Sequence, residues 1–272
     1  MSVGTEAEDD PARLAAARAG EEGAFDTLVR PLLPRLEAFA YRMLAHPDDA
    51  AEAVQDALLK AHQGLAGFRG DARFGTWLFS IVTRVCIDQL RSRQRWRWDA
   101  QAHTRADPEA PHDAVIEHLQ APDMGFEARE HIAFCFSCVS RSLPPEEAAA
   151  ILLREVFGFR NKEAARICGV SESVLRHRLS AGRTAMQDAF EGLCGLVSKT
   201  GVCYQCKGLR DRAEHQGEGL PDFSGEREGA FVRRLAIVQD ADLEGGRSAA
   251  LHRLMFRAVA GTEARGRSAK PR

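Results

Sequence analysis

The sequence predicts an all-α protein in which two helical domains are joined by an acidic linker and followed by a C-terminal extension. Three observations support this fold class. Apolar residues recur at helical spacing over long stretches, with few alternating β-branched segments. Glycine and proline residues interrupt these stretches beside residues suited to cap helices. Between about Trp98 and Gly125 the helical period fades, while acidic residues and prolines accumulate.

The composition is that of a globular protein with about two domains. The chain has 272 residues, of which 44% are hydrophobic and 28% charged. No apolar run approaches the length of a membrane span, and the acidic N-terminus lacks the basic and apolar parts of a signal peptide. Seven cysteines, an odd number, do not suggest an oxidised secreted framework. We therefore expect a cytoplasmic protein that does not bind membranes.

The charges are segregated along the chain although the formal net charge is only −2. Residues 1–26 carry seven acidic and two basic residues, whereas residues 84–98 carry five arginines and one aspartate. The last sixteen residues carry five basic groups and one acidic group. Such segregation permits basic contact surfaces within a nearly neutral protein.

A disordered acidic N-terminus is predicted for residues 1–20, and the first helical domain for 21–97. The domain begins with a helix from about Gly23 to Ala45, which Pro31 and Pro34 break or start, with Phe39 on its inner side. The sequence His-Pro-Asp-Asp at 46–49 then predicts a turn and an aspartate-capped helix start.

The next helix, from about Asp49 to Leu65, has an alanine-rich inner side. Its other face is predicted to be exposed and polar, and it carries Asp49, Glu52, Gln55 and Asp56. This face is either an ordinary solvated surface or an acidic docking surface for a basic partner.

A glycine-rich loop at 64–73 and an arginine-rich helix from about Phe74 to Arg95 complete this domain. Guanidinium groups bind phosphates and aromatic rings stack on bases, so this combination suits single-stranded or melted nucleic acid. The candidate residues are Phe68, Arg69, Arg73, Trp77, Ser80, Arg84 and Arg91. The alternative is that Trp77 belongs to the core and that the arginines only solubilise the helix.

The linker is placed at 98–125 and the second helical domain at 126–197. In this domain one helix ends before Pro144-Pro145, and a mostly buried helix covers Glu146 to Phe157. The extension at 198–272 contains two amphipathic pieces, Phe231–Val238 and Ala249–Val259, and ends in a basic tail.

Within the second domain, residues 159–183 predict two short helices joined by a tight turn. The first runs from about Asn161, as N-cap, to Cys168, and Gly169 ends it. Ser171 caps the second, whose inward residues are predicted to be Val174, Leu175 and Leu179. Its polar face carries Ser173, Arg176, His177, Arg178 and Arg183. This pattern is typical of a DNA-binding helix-turn-helix, although a helical hairpin with a solvated basic face is the alternative.

Two blocks together resemble the bacterial sigma factors of the extracytoplasmic-function (ECF) kind, in the sigma-70 family. The block from Asp48 to Arg95 is similar to region two of that family, and the block from Leu143 to Arg183 is similar to region four. The resemblance covers roughly residues 20–196 and includes the acidic linker between the blocks. It implies a protein that binds core RNA polymerase and directs it to promoter DNA, with an anti-sigma factor as a further candidate partner.

The resemblance also implies roles for the candidate residues. Asp49, Glu52, Gln55 and Asp56 would bind core polymerase, and the loop at 68–73 with the helix after it would capture the melted −10 strand. The −35 element would be recognised from the second helix of the helix-turn-helix by Ser171, Ser173, Arg176, His177, Arg178 and Arg183. The chain departs from many relatives in having Arg84 in place of an asparagine, and Ser173-Val174 in place of Gly-Thr.

Two CxxC pairs flank the predicted helix-turn-helix. Four thiolates at this spacing suit tetrahedral zinc, and the candidate ligands are Cys135, Cys138, Cys203 and Cys206, with His131 as a substitute for one of them. Closure as disulfides in a redox switch and simple packing are the alternatives. The remaining cysteines, Cys86, Cys168 and Cys194, are predicted to be core residues.

The sequence thus predicts a sigma factor without catalytic activity of its own. The first alternative is a helix-turn-helix transcriptional regulator that does not replace the sigma subunit, but such a protein needs neither the acidic face nor the aromatic-basic helix. An enzyme with Cys135 as nucleophile is the second alternative, and the sequence offers no partner base or pocket for it.

Overall fold

The structure is a computed structural model that describes residues 11–44, 46–92, 135–137, 139–140, 143–193 and 227–240. Throughout these ranges the regular structure is helical, as the sequence predicts. The linker, most of the CxxC residues and the second amphipathic piece of the extension lie outside them.

The described parts of residues 1–96 and 143–183 belong to one compact unit. A second unit contains the described parts of 97–142 and 184–241. Residues of both predicted helical domains therefore share the first unit.

The first unit begins with α1 (Pro11–Arg18) and α2 (Ala24–Val29), after which a 3-10 turn (Arg30–Leu32) leads into α3 (Leu33–Leu44). Pro31 lies in the first positions of the 3-10 turn, where its missing N–H costs no hydrogen bond. The range predicted to be disordered, 1–20, thus contains a helix. Ala17 of α1 is buried, and Arg18 donates to the Ala66 carbonyl at 3.4 Å.

The core of this part lies between α3, α4 (Pro47–Gly64) and α5 (Phe74–Ser92). The α4 helix presents a ridge of small residues at helical spacing, which allows the three helices to approach closely. The buried residues of the ridge are Ala50, Ala53, Val54, Ala57 and Ala61. Larger side chains fill the space opposite, among them Leu36, Phe39, Leu78 and Val82.

The start of α4 differs from the prediction. His46, and not an aspartate, is the N-cap, and its Nδ1 accepts a hydrogen bond from the Asp49 backbone N–H at 3.4 Å. Pro47 is the first helical residue, where its fixed φ favours the helix.

The C-terminal part of the first unit contains α6 (Pro145–Ile151), a π-helical turn (Leu152–Val156), α7 (Asn161–Ile167) and the first half of α8 (Glu172–Leu193). The residues predicted to be buried between Ala149 and Phe157 are buried. The predicted helix is correct in extent, but its second half is π-helical.

The second unit includes residues 135–140 in part, the last turns of α8 and α9 (Arg227–Asp240). Phe136 contacts Phe190 and Phe231, with a ring-centroid distance of 6.2 Å in each pair. The Arg234 guanidinium lies 4.4 Å from the Phe190 ring centre. The amphipathic piece predicted at Phe231–Val238 is therefore helical, and it packs through its apolar side.

Among the described residues, no helix combines the length and apolar character that a bilayer crossing requires.

Candidate nucleic-acid interface

The helix-turn-helix is built by short-range hydrogen bonds that the sequence predicts. Gly169 has a φ of 65°, and its N–H donates to Arg166 O at 3.1 Å. The next N–H, of Val170, donates to Ala165 O at 3.0 Å. These two hydrogen bonds form the Schellman motif that commonly ends a helix, and they close the end of α7. Ser171 Oγ accepts from the Val174 N–H at 3.3 Å and caps α8. The predicted glycine turn and serine cap are confirmed.

The start of α7 lies one residue earlier than predicted. Arg160 is the N-cap, and Glu163 accepts from its N–H at 3.1 Å. Asn161 is the first helical residue and is not the cap. Its Oδ1 accepts from Arg154 Nε at 2.9 Å, which ties α7 to the π-helical turn.

The helices α6 and α8 approach each other closely at a glycine. Gly182 is buried, and a Cβ atom placed there would lie 3.0 Å from Ile151 Cγ1 and 3.6 Å from Glu147 Cβ. Arg183, one residue later, pairs with the mostly buried carboxylate of Glu155. This ion pair braces α8 against the π-helical turn, so the Arg183 side chain is not simply presented to solvent as the prediction of a phosphate contact assumes.

The outward face of α8 carries most of the predicted −35 residues. Exposed side chains are Ser171, Ser173, Arg176 and His177, whereas Arg178 is half-buried. The carboxyl of Glu147 lies near His177 and Arg178. Burial raises its pKa, while the charges of His177 and Arg178 act in the opposite direction.

Val174 lies on this outward face, and the prediction that it points inward is wrong. It is 43% exposed, whereas Leu175 and Leu179 are buried as predicted. Adjacent residues on a helix are separated by about 100°, so Val174 and Leu175 cannot share one narrow buried stripe. Val174 thus adds an apolar side chain to a polar surface.

The predicted loop and helix of the first domain form a small aromatic cluster. Phe68, Phe74 and Trp77 have ring centroids 5.0–6.0 Å apart. Trp77 is half-buried, but Phe68 is only 5% exposed. The prediction that Phe68 is available to contact DNA is therefore wrong in this conformation. Its ring is buried against the rings of Phe74 and Trp77.

The polar residues predicted to contact the −10 strand differ in their exposure and in their hydrogen bonds and ion pairs. Arg69 pairs with Asp71 at 3.2 Å, and Ser80 Oγ donates to Trp77 O at 2.6 Å. Arg73 and Arg84 are exposed. Arg91 is exposed too, but it pairs with Glu146 of α6.

One of the four residues predicted on the exposed face of α4 is not exposed. Glu52, Gln55 and Asp56 are exposed, whereas Asp49 is only 6% exposed. Its carboxylate lies 3.9 Å from His46 Nδ1 within the helix start. The expectation that Asp49 shares the exposed face is thus wrong. Leu59, which the sequence analysis missed, is 57% exposed and lies one turn beyond Gln55.

Of the predicted zinc ligands, only Cys135 lies within the described residues, where it is half-buried in a helical segment. Cys138, Cys203, Cys206 and His131 lie outside them. The described ranges contain no group of three or more side chains suited to bind a metal.

Cys86 is buried as predicted, and burial raises the pKa of its thiol. Cys168 is only half-buried in accessible area, yet burial raises its pKa to about 11. Both thiols are therefore poor nucleophiles near neutral pH. Cys194 lies outside the described residues.

Comparisons with known proteins agree on the two blocks. The family model for sigma-70 region 2 matches residues 28–96, and that for sigma-70 region 4 matches residues 134–186. The ECF RNA polymerase sigma factor SigM of Mycobacterium tuberculosis is 33% identical to this chain over 65% of the chain and 82% of the relative. The RNA polymerase sigma-H factor of Pseudomonas aeruginosa is 25% identical over 68% of the chain and 96% of the relative.

Among solved structures, the sigma factor RpoE of Bartonella quintana, in complex with the anti-sigma factor NepR, is 26% identical. That match covers 61% of this chain and 96% of the solved chain, with a TM-score of 0.43.

Proposed function

We propose, from the premise that this chain belongs to the ECF family of RNA polymerase sigma factors, that it acts through three surfaces. The first, the α4 face, consists of Glu52, Gln55, Asp56 and Leu59 and binds core RNA polymerase. Its exposed carboxylates suit a basic partner, and exposed Leu59 supplies apolar area beside them. Asp49 supports the start of the helix and does not itself contact the polymerase.

The second surface captures the melted −10 strand. Arg69, Arg73 and Arg84 supply cations for phosphates, and half-buried Trp77 supplies a ring for stacking. Extruding a base costs a few kcal/mol of unstacking, which a rigid aromatic platform can offset. The contacts of Trp77 with Phe68 and Phe74 support this rigidity. Ser80 and Arg91 lie at the same surface, and we assign them to its edge.

The third surface recognises the duplex −35 element from α8. Side chains at the N-terminal end of a recognition helix contact base edges in the major groove. Ser171, Ser173, Arg176, His177 and Arg178 occupy this position, and exposure of most of them is the observation that carries the proposal. Arg183 positions the helix through Glu155.

Purified core polymerase provides the direct test. The full chain should form a stable complex with core enzyme and start run-off transcripts from a subset of fragments of its own genome. Failure to associate with core enzyme, or association without any new transcript, would overturn the proposal.

We expect no catalytic activity from the chain alone and a location in the cytoplasm, where the polymerase acts. A regulator that leaves the resident sigma subunit in place is the alternative, and the region 2 match does not favour it.

Val174 is expected to contribute to −35 specificity. Apolar side chains in the major groove contact the methyl group of thymine. Replacing Val174 with serine removes two methyl groups from an exposed site, so the fold is preserved while this contact is lost. We expect about a fourfold weaker preference for thymine over uracil at one −35 position, since the single methyl group that distinguishes the two bases is worth about 0.8 kcal/mol when buried.

Duplex binding to a −35 fragment with single thymine-to-uracil changes measures this effect. The matched control is Lys162→Ala on the exposed side of α7, which should leave the thymine preference unchanged. Equal preferences for thymine at every position in the Val174→Ser protein and the wild type would contradict the assignment.

We propose that the two CxxC pairs bind a zinc ion. The support is the ligand spacing in the sequence and the partial exposure of Cys135. Zinc bound across residues distant in sequence would add its binding free energy to folding.

Protein purified under reducing conditions should contain about one zinc per chain, and Cys203→Ser should lower this content and the melting temperature. Cys168→Ser is the control, since that residue lies outside the ligand set. Wild-type protein without metal would end the zinc proposal and leave the thiol switch to be tested by thiol titration.

An anti-sigma factor is the further class of partner that we propose. A protein covering the α4 face would compete with core polymerase, and co-purification from the native host tests for one.

A further inference from the structure

Glu147, in the first turn of α6, lies against α8 at the buried glycine of that helix. A Cβ atom placed at Gly182 would be 3.6 Å from Glu147 Cβ. Arg178 precedes Gly182 by four residues, and residues four apart on a helix lie on the same face. Glu147 is therefore positioned beside the part of the recognition helix that carries Arg178.

Arg178 is placed differently from the two residues before it. Arg176 and His177 are exposed, whereas Arg178 is half-buried. The carboxyl of Glu147 lies near His177 and Arg178. At the end of α7, burial raises the pKa of the Cys168 thiol to about 11, and the charge of Arg178 acts in the opposite direction. The Arg178 guanidinium thus lies close both to Glu147 and to the end of α7.

Of the two cations near Glu147, Arg178 is the permanent one. A guanidinium is charged at any physiological pH, whereas an imidazole is charged only when it is protonated. The attraction between Arg178 and Glu147 acts at a partly buried place, where opposite charges attract more strongly than in bulk water. Near neutral pH, Glu147 therefore restrains the side chain of Arg178 more than that of His177.

A restrained arginine changes how a recognition helix binds DNA. Arginine contacts to phosphates release counterions and add affinity for any sequence, whereas contacts to base edges discriminate among sequences. A mobile arginine at position 178 would reach a phosphate on every duplex. Arg178 held toward α6 adds less to this sequence-independent attraction.

We propose that Glu147 is a positioning residue of the −35 surface, which holds Arg178 toward α6 and so limits the binding of α8 to DNA of unrelated sequence. The proposal deepens the proposed function, because its benefit for promoter selection rests on −35 recognition by α8. The restraint itself does not depend on that recognition. Non-specific sites greatly outnumber promoters in a genome, so weak non-specific binding favours selection of the correct site.

Glu147→Gln in the full chain tests the restraint, since it removes the charge and keeps the size of the side chain. The probes are a −35 duplex from a promoter that the holoenzyme transcribes and a duplex of scrambled sequence and equal length. We expect the variant to bind the scrambled duplex about threefold more tightly at low salt, because one freed arginine adds about 0.9 to the dependence of log K on log salt. Between about 50 and 200 mM salt, its affinity should then fall about 3.5 times further than that of the wild type.

The gain should be smaller on the −35 duplex. Contacts to base edges fix the position of α8 there, so the freed Arg178 reaches fewer phosphates. The preference for the −35 duplex over the scrambled duplex should therefore fall about twofold in Glu147→Gln. Replacing a residue with a merely structural role would instead weaken binding to both duplexes.

Second substitutions identify the partner of Glu147. In an Arg178→Ala background, Glu147→Gln should leave the salt dependence unchanged, whereas in an Arg176→Ala background it should act in full. Glu37→Gln is the control, because it removes the same charge from an exposed position in α3. This control should bind the scrambled duplex as the wild type does.

An unchanged salt dependence in Glu147→Gln would overturn the proposal, and so would an effect that persists in Arg178→Ala but disappears in His177→Asn. Equal gains on the two duplexes would overturn the effect on promoter selection. If the chain forms no holoenzyme, or does not distinguish the −35 duplex from the scrambled one, the proposed function fails. The salt dependence on the scrambled duplex then still tests the restraint of Arg178.

Discussion

Reversing two charges on the α4 face, with Glu52→Lys and Asp56→Lys together, is expected to abolish recruitment to core RNA polymerase. Both side chains are exposed, so the substitutions should change the free energy of unfolding by less than about 1 kcal/mol. At a basic partner surface, each reversal replaces an attraction with a repulsion, and like charges at an interface cost several kcal/mol. We expect at least a hundredfold weaker binding to core enzyme and no run-off transcript, with unchanged affinity for an isolated −35 duplex.

The matched control reverses two other exposed carboxylates, with Asp26→Lys and Glu37→Lys. It changes the net charge by the same amount and should retain polymerase binding within a few-fold. Competition binding with labelled core enzyme measures both proteins. Equal losses in the two double variants would mean that net charge, and not the α4 face, drives the association.

Gly182→Val is expected to remove −35 binding through packing and not through a lost DNA contact. A Cβ atom at this position already meets Ile151 Cγ1 at 3.0 Å, and valine adds two further methyl groups. Overpacking of a buried site costs about 1–3 kcal/mol, and here it also pushes α8 away from α6. We expect a lower melting temperature and at least tenfold weaker binding to the −35 duplex.

Making room opposite Gly182 should reverse part of this effect. The double variant Gly182→Val with Ile151→Ala should be more stable than the sum of the two single changes predicts, because the two residues share one space. Gly67→Val is the control, since nothing lies within 4 Å of a Cβ atom placed at Gly67. Strict additivity in thermal unfolding would show that the close approach of α6 and α8 does not determine stability.

Most local features of this chain could be predicted because their causes lie within a few residues. The helix-turn-helix is the clearest example, since Gly169 and Ser171 end one helix and begin the next through hydrogen bonds to near neighbours. Two of the helix starts differ from the prediction. His46 and Arg160 replaced the predicted caps because several neighbouring residues there can start a helix.

The exposure of individual site residues was harder to predict. The sequence predicts that Asp49 and Phe68 belong to contact surfaces, yet Asp49 is buried at a helix start and Phe68 is buried against Trp77. Val174 is predicted to lie in the apolar core and is exposed. Helical periodicity places a residue on a face, but it does not say which neighbour covers that face.

The helices, the glycine turn, the order of the two blocks and the residue types on their polar faces all follow from the amino-acid sequence alone. The packing of the folded chain, by contrast, pairs Arg183 with Glu155, places Ile151 against Gly182, and brings Arg35 and Phe79 into contact with Phe157 and Phe159. The difference arises from separation along the chain. Hydrogen bonds and helical periodicity act over three or four residues, whereas these contacts join side chains tens of residues apart, whose pairing depends on how complete helices pack.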